Sequence, residues 1–345
     1  MPKDKFQVGL AATFLGPDGK LRFKDIGLDL LDKDPDIEYR YVKADQPFVP
    51  AGELRDLDAF IALSGIYTAE TFEGSSRLTL IARHGVGYDN LDLHAATRAN
   101  VMISITPSGV RHPVAEGIIM LMFALSKHVI SRDRAVRAGE WRDELEMGVE
   151  LRGRTLGVIG VGNISSELFR LLKPFDMRFL AYDPYASPEL ARSLNVELTE
   201  LRSLLTESDF VCVCCPLNGE TYGLIGETEF SLMKPSAFFV NTARGPIVNQ
   251  SALTDALQRH RIRGAGIDVF DKEPVDSDDP LLKLDNVILS PHAIAMTDEC
   301  YRDIGRTNCQ RVIQVSRGEI PDDVVNKEVL DQEVLQEKMS GYRNR

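Results

Sequence analysis

The sequence predicts an α/β protein built from doubly wound parallel sheets. Short apolar runs separated by helix-length segments recur from one end of the chain to the other, the mark of parallel strands joined by crossover helices. A glycine turn, Gly160-Val161-Gly162, sits at one such strand-to-helix junction, where doubly wound sheets bind phosphate groups. The length, 345 residues, leaves room for two domains at roughly 150 residues each.

In the first part of the chain the apolar runs predict strands at 7–12, 38–42, 59–64, 79–83 and 101–105, with a helix over 92–99. A long helix is predicted from Pro113 to Ala138, because proline suits a first helical turn and Gly139 ends the pattern. A second set of strands follows at 155–160, 178–183, 209–215, 237–241, 264–270 and 287–290, spaced for one sheet of about six strands. Another helix is predicted over 298–316, and the residues from Glu319 onward read as a charged tail.

Lys and Arg total 40 against 52 Asp and Glu, a net charge of −12. Such a chain lacks the diffuse basic surface that nucleic acid or anionic lipid requires. Its longest apolar run, around Ile118–Leu125, falls short of the ~20 residues that span a bilayer. The start, Met1-Pro2-Lys3, leads into a strand without the apolar core of a signal peptide. A soluble, cytoplasmic protein is expected. Of the five cysteines, Cys212, Cys214 and Cys215 share one strand. Alternation splits them between its faces, so buried small hydrophobes are expected and no metal.

The strand ending at Gly160 and the helix starting after Gly162 form a dinucleotide-type turn. Gly160 allows the bend and Gly162 lets a pyrophosphate approach the helix N-terminus. Ser165 stands at the third glycine position. The next strand ends in Asp183, about twenty residues on, where an acid meets the adenosine ribose. A carboxylate there repels a 2′-phosphate, so NAD is expected over NADP.

Three segments late in the same sheet place ionisable residues just beyond strand ends: Asn241-Thr242-Ala243-Arg244, Asp268 to Glu273-Pro274, and Ser290-Pro291-His292. Oxidising a 2-hydroxy acid needs a base for the hydroxyl proton, a cation for the carboxylate and a hydride acceptor. His292 paired with Glu273 is a candidate acid/base, and Arg244 a candidate for binding and polarising the substrate. Taken singly, each could be an ordinary turn residue; their joint placement after successive strands favours chemistry.

Together these motifs resemble the signatures of the D-2-hydroxyacid dehydrogenase family, which includes 3-phosphoglycerate dehydrogenases and glyoxylate/hydroxypyruvate reductases. The segment from Ala82 through Gly85-Val86-Gly87 to Asp92 is similar to that family's substrate-side loop, and Pro113-Val114-Ala115-Glu116 to the start of its long helix. The resemblance implies two flavodoxin- or Rossmann-like domains with a cleft between them, the cofactor domain inserted into the substrate domain. The substrate domain would comprise 1–106 and 296–330, the NAD domain 107–295, and the tail 331–345. A homodimer would form through a helix and arm at 113–145.

Carried over residue by residue, Arg244 binds and polarises substrate, Glu273 partners the histidine and His292 is the acid/base. The backbone at Val86 and Gly87, with Gly85 beside it, would receive the carboxylate. His84 is a further substrate candidate, the alternative being that it satisfies the loop backbone. Asn163 and Ile164 would meet the pyrophosphate, and Asp183 the ribose. Cys215 and Pro216 would border the adenine, with Thr221 a further cofactor residue. Thr242 and Ala243 would flank the nicotinamide, and Asp268 would hold its carboxamide. Departures from the family pattern are Ser165, Pro113, and the absence of a glycine two residues after His292 in Ala293-Ile294-Ala295.

The expected activity is NAD(H)-dependent interconversion of a small D-2-hydroxy acid and its 2-oxo acid. A second reading is an NAD(H)-sensing, non-catalytic scaffold of the same fold, like the family's co-repressor branch, and turnover discriminates the two. A third, methyl transfer from S-adenosylmethionine, shares the glycine turn but has no use for Arg244, Glu273 and His292.

Overall fold

A computed structural model describes residues 4–43, 48–142 and 145–344. Met1-Pro2-Lys3 at the expected start, Asp143 and Glu144 of the expected arm, and Arg345 of the expected tail lie outside the described residues. The chain divides into two compact units, Met1–Val110 with Met296–Arg345, and Arg111–Ala295.

The chain runs β1 (Phe6–Ala11), α1 (Leu28–Asp32), β2 (Ile37–Val42), β3 (Ala59–Ala62), β4 (Leu80–Arg83), α2 (Leu93–Arg98), β5 (Met102–Ser104), α3 (Pro107–Ser126) and α4 (Val129–Arg137). It continues through β6 (Thr155–Ile159), α5 (Asn163–Leu172), β7 (Arg178–Tyr182), α6 (Pro188–Ser193), β8 (Glu197–Leu198), α7 (Leu201–Glu207), β9 (Phe210–Val213), α8 (Glu227–Leu232), β10 (Phe238–Asn241) and α9 (Gln250–Gln258). Last come β11 (Gly264–Ile267), β12 (Val287–Leu289), α10 (Asp298–Ser316) and α11 (Glu333–Arg343).

In the first unit the strand order is β2-β1-β3-β4-β5, with every pairing parallel. This is the flavodoxin-like arrangement. The second unit carries a 7-stranded sheet in the order β12-β11-β10-β9-β6-β7-β8, the Rossmann order extended by one strand at the β12 edge. Strands such as Ala59–Ala62 and Thr155–Ile159 are buried along their whole length, because helices cover both faces of a parallel sheet. That is why they read as unbroken apolar runs. The strand beyond the expected six is β8, two exposed residues, Glu197 and Leu198, too short to form an apolar run.

Both expected ends of the long helix are corrected. The long helix starts at Pro107, not Pro113, and Pro113 lies inside it. Val110, Val114 and Ala115 are buried, so packing on both sides carries the helix through a residue that usually ends one. Nor does it continue to Ala138. It breaks after Ser126, α4 departs at 56°, and His128 takes φ 52. The backbone of Gly148 packs against the carbonyl of Ser126 at this break, leaving no room for a Cβ. The division between units falls inside α3, between Val110 and Arg111.

The expected tail at 331–345 is instead a folded element of the first unit. Leu335, Met339 and Tyr342 of α11 join that unit's core. The Tyr342 hydroxyl donates to Oδ1 of buried Asp58 at 3.0 Å. Asp58 also accepts from Arg77 Nε and Nη2, at 3.0 and 2.8 Å, and from the Gln7 amide at 2.7 Å. The apolar spacing of four and three residues is a helical face, masked in the sequence by the charges around it.

No single helix among the described residues is long and apolar enough to cross a membrane. The apolar stretch of α3 is core: Ala115, Ile118, Leu121 and Met122 are fully buried.

Candidate active site

The parallel order β12-β11-β10 sets three C-terminal strand ends side by side, and each delivers part of one polar cluster. After β10, the buried Asn241 closes a tight loop, accepting from the Ala243 amide and donating to the Arg244 carbonyl, both at 3.0 Å. Gly245 then passes so close to Phe270 that a Cβ would stand 2.0 Å from its carbonyl carbon. Only glycine permits that approach, and it brings the loop bearing Arg244 against the loop bearing Glu273.

Glu273 accepts from the Phe270 amide through Oε1 at 3.0 Å and pairs with Nδ1 of His292 through Oε2 at 2.7 Å. Burial disfavours its charge, but the bonds from His292 and Phe270, with the nearby charges of His292 and Arg244, hold the carboxyl below its ordinary value. Because Nδ1 is tied to Glu273, Nε2 is the nitrogen left to exchange a proton with a ligand. The His292 side chain is 46% exposed.

His292 has φ 53, a strained conformation for a non-glycine residue that persists only when its surroundings impose it. Asp268 imposes it. Its carbonyl accepts the His292 amide at 2.8 Å, and its Oδ1 accepts the amides of Ala293 and Ile294 at 2.8 and 3.1 Å. Burial raises the carboxyl's pKa, against the Ser290 hydroxyl and those amides, which favour its charge. The resemblance assigned Asp268 only to a cofactor, so sequence reasoning missed this brace. It also missed the seat of Ile294, which lies over Gly117 of α3, where a Cβ would come within 2.3 Å of Ile294 Cγ1. The departure from glycine at 294 is thus matched by a glycine opposite it.

A second group of expected residues gathers at the ends of β6, β7 and β9. Gly160 has φ 99, and its Cβ would meet the Cys215 amide at 2.7 Å, so the turn lies directly on the end of β9. Gly162 is different: a Cβ there would meet nothing within 4 Å. Apart from its chain neighbours, no atom of the described residues comes within 4 Å of that position, and Asn163 and Ile164 begin α5 there with amides that a helix leaves unpaired. The result is an open polar cradle for an anion, which fits the pyrophosphate of a dinucleotide.

Ser165, departing from the third glycine, is buried, and its Oγ accepts the Gly162 amide at 2.8 Å, capping the turn. Asp183 accepts from the amides of Val161 at 2.7 Å and Tyr185 at 2.8 Å, which fixes its carboxylate beside the turn. Burial pushes the Cys215 thiol up to about 11, so it stays neutral. Thr221 donates from Oγ1 to the Pro216 carbonyl at 2.6 Å, shaping the loop after β9. Thr242 and Ala243 are half-buried after β10.

In the first unit, the expected substrate loop follows β4. Gly85 has φ 129 and exchanges hydrogen bonds with Thr106 through its amide and carbonyl. Arg83 Nε donates to the Gly87 carbonyl at 3.0 Å, bracing Val86 between them. His84 departs from expectation. It is 5% exposed, its ring meets Phe14 edge-on at 5.1 Å, and Nδ1 lies 3.3 Å from Asn308 Nδ2. It therefore turns into the core and does not satisfy the loop backbone. Burial, aided by Arg83, lowers its pKa to about 3.

Residues 119–293 match the family described as D-isomer specific 2-hydroxyacid dehydrogenase, NAD binding domain. A protein named glyoxylate reductase from Korarchaeum cryptofilum is 40% identical over 282 residues, 80% of this chain and 85% of that protein. A D-3-phosphoglycerate dehydrogenase from Archaeoglobus fulgidus is 40% identical over 250 residues, and the match spans 72% of this chain but about half of that longer protein, 47%. Among solved structures, D-lactate dehydrogenase from Aquifex aeolicus complexed with NAD and lactic acid superposes with a TM-score of 0.78 at 28% identity, covering 90% of this chain and 96% of that one. Strand order, the open glycine turn and these matches agree: the chain belongs to the D-isomer specific 2-hydroxyacid dehydrogenase family.

Proposed function

We propose that this chain is an NAD(H)-dependent oxidoreductase that interconverts a small D-2-hydroxy acid and its 2-oxo acid. The observation that carries the proposal is the 2.7 Å contact between His292 Nδ1 and Glu273, beside Arg244 and beyond the ends of adjoining strands. When bound, NAD(H) supplies or accepts the hydride. His292 takes the hydroxyl proton at Nε2 during oxidation and returns it during reduction, while Glu273 holds the ring through Nδ1. Arg244, whose Nη1 donates to the Ala243 carbonyl at 2.6 Å, binds the substrate and stabilises negative charge developing on the reacting oxygen. In the first unit, the backbone of Gly85, Val86 and Gly87 receives the carboxylate.

Gly160 and Gly162 shape the turn, and Asn163 and Ile164 hold the pyrophosphate. Asp183 takes the ribose hydroxyls and disfavours NADP. Cys215 and Pro216 border the adenine, with Thr221 a further cofactor residue; Thr242 and Ala243 flank the nicotinamide, and Asp268 holds its carboxamide. Residues 1–110 with 296–345 serve the substrate and 111–295 the cofactor. A homodimer through 113–145 would cover Val129, Ile130, Val136, Trp141 and Met147, large apolar side chains that lie exposed on this stretch or just beyond it.

The test is NADH consumption with a panel of 2-oxo acids beginning with glyoxylate and hydroxypyruvate, run alongside direct NADH titration. Turnover of at least one acid supports the proposal. NADH binding with no turnover across the panel would overturn it in favour of a non-catalytic, NAD-sensing role.

A further inference from the structure

The order β9-β6-β7 places the loop after β9 on one side of the glycine turn and the loop after β7 on the other. One side chain joins them. The Tyr185 hydroxyl, two residues beyond Asp183, donates to the Glu220 carboxylate, 2.9 Å from one oxygen and 2.8 Å from the other. The Tyr185 amide is already given to Asp183 Oδ1 at 2.8 Å. A single tyrosine thus has a carboxylate at each end, one on its backbone and one on its ring.

Glu220 is held in a built turn. Its amide donates to Asn218 Oδ1 at 2.9 Å, the Asn218 amide donates to Thr221 Oγ1 at 2.8 Å, and Thr221 donates to the Pro216 carbonyl. The arginines nearest along β7 and α6 are committed to other acids: Arg178 to Glu197 at 2.8 Å and Glu207 at 2.7 Å, Arg192 to Glu189 at 2.8 Å.

We propose that Glu220, tethered by Tyr185, is a second specificity-determining carboxylate that excludes a 2′-phosphorylated dinucleotide. This role rests on the NAD reading above, in which Asp183 meets the ribose. A 2′-phosphate displaced outward from Asp183 moves toward Tyr185. The backbone N–H that could cradle it is occupied there, and the ring beyond ends in a held negative charge. Tyr185 is 76% exposed and Glu220 is exposed as well, and two like charges in exposed surroundings disfavour each other by a modest factor that salt reduces. Glu220 therefore acts on NADPH far more than on NADH, which carries no charge at that carbon.

The test is direct binding of NADH and NADPH to the full chain by cofactor fluorescence and calorimetry, for the wild type and for Glu220→Gln, Glu220→Asp, Tyr185→Phe and Asp183→Ser. Glu220→Gln is expected to shift the NADPH-to-NADH Kd ratio toward NADPH by about three- to tenfold at low salt, a gain that shrinks in 0.5 M salt (about 4 Å of screening length). Glu220→Asp restores most of the discrimination, and Tyr185→Phe, which frees the carboxylate, gives a smaller shift in the same direction as Glu220→Gln. An unchanged ratio in Glu220→Gln and Tyr185→Phe, with a shifted ratio in Asp183→Ser, would overturn the role of Glu220 alone. An unchanged ratio in Asp183→Ser would overturn the ribose reading beneath it.

Discussion

Two histidines follow strands of two parallel sheets, and their surroundings give them opposite characters. His84, just after β4, is 5% exposed and set among Phe14 and Tyr301. His292, after β12, has a side chain 46% exposed and shares its Nδ1 with Glu273. The first has been desolvated until its charged form is lost across the physiological range. The second carries a carboxylate partner and a backbone forced into the left-handed region by Asp268. The difference teaches that position after a strand selects where a residue can act, while burial and partners decide whether it can move a proton.

The strongest way to break this comparison is to remove the imidazole of His292. His292→Ala is expected to lower kcat/KM by about 10²- to 10⁴-fold, with the NADH Kd within about threefold of wild type. Unchanged turnover would remove it as the acid/base. Arg244→Lys keeps the charge but loses the planar fork, and about a 10²- to 10³-fold loss is expected in steady-state kinetics with a 2-oxo acid.

Glu273→Gln tests the partner. The shape survives and the charge does not, so kcat should fall by about ten- to a hundredfold while KM moves little. Glu273 is held below its ordinary value in the fold, so its contribution to stability is present above that ordinary value and is lost as the pH falls through the lowered one. The glutamine variant should lack this acid-side dependence in urea unfolding.

The smallest effect belongs to His84 and appears in stability. Its pKa falls from 6.5 to about 3 on folding, so between those values only the unfolded chain takes up the proton. The stabilisation is complete above about pH 6.5 and declines as the pH drops, at about 1.4 kcal/mol per pH unit. From pH 7 to pH 5 the wild type should lose about 2 kcal/mol more than His84→Phe. Equal losses would show that His84 is not the buried neutral group described.

Much of both sheets was legible beforehand because parallel strands are buried on both faces, so β3, β6 and β10 announce themselves as apolar runs bounded by polar turns. Where burial left a weaker imprint, the reading failed. Exposed β8 is too short to form an apolar run, and α11 hides Leu335, Met339 and Tyr342 among charges. Pro113 looked like a helix start because local rules cannot weigh the packing that carries α3 through it. Of the candidate site, the glycines, Asp183, Arg244, Glu273 and His292 were visible as residue types at telling positions. Asn241 as a loop clasp, Gly245 as a contact point and the Gly117–Ile294 pair were not, since each depends on a neighbour distant in sequence.

By itself the sequence determined the α/β class, the positions of most strands and the family, because these follow from local periodicity and from motifs a few residues long. Only the tertiary structure decided which strand ends adjoin, that Asp268 braces the His292 loop, that His84 turns into a core and that Tyr185 reaches Glu220. Those outcomes depend on strand order, close approach and desolvation, which act between residues far apart in the chain and leave no periodic trace along it.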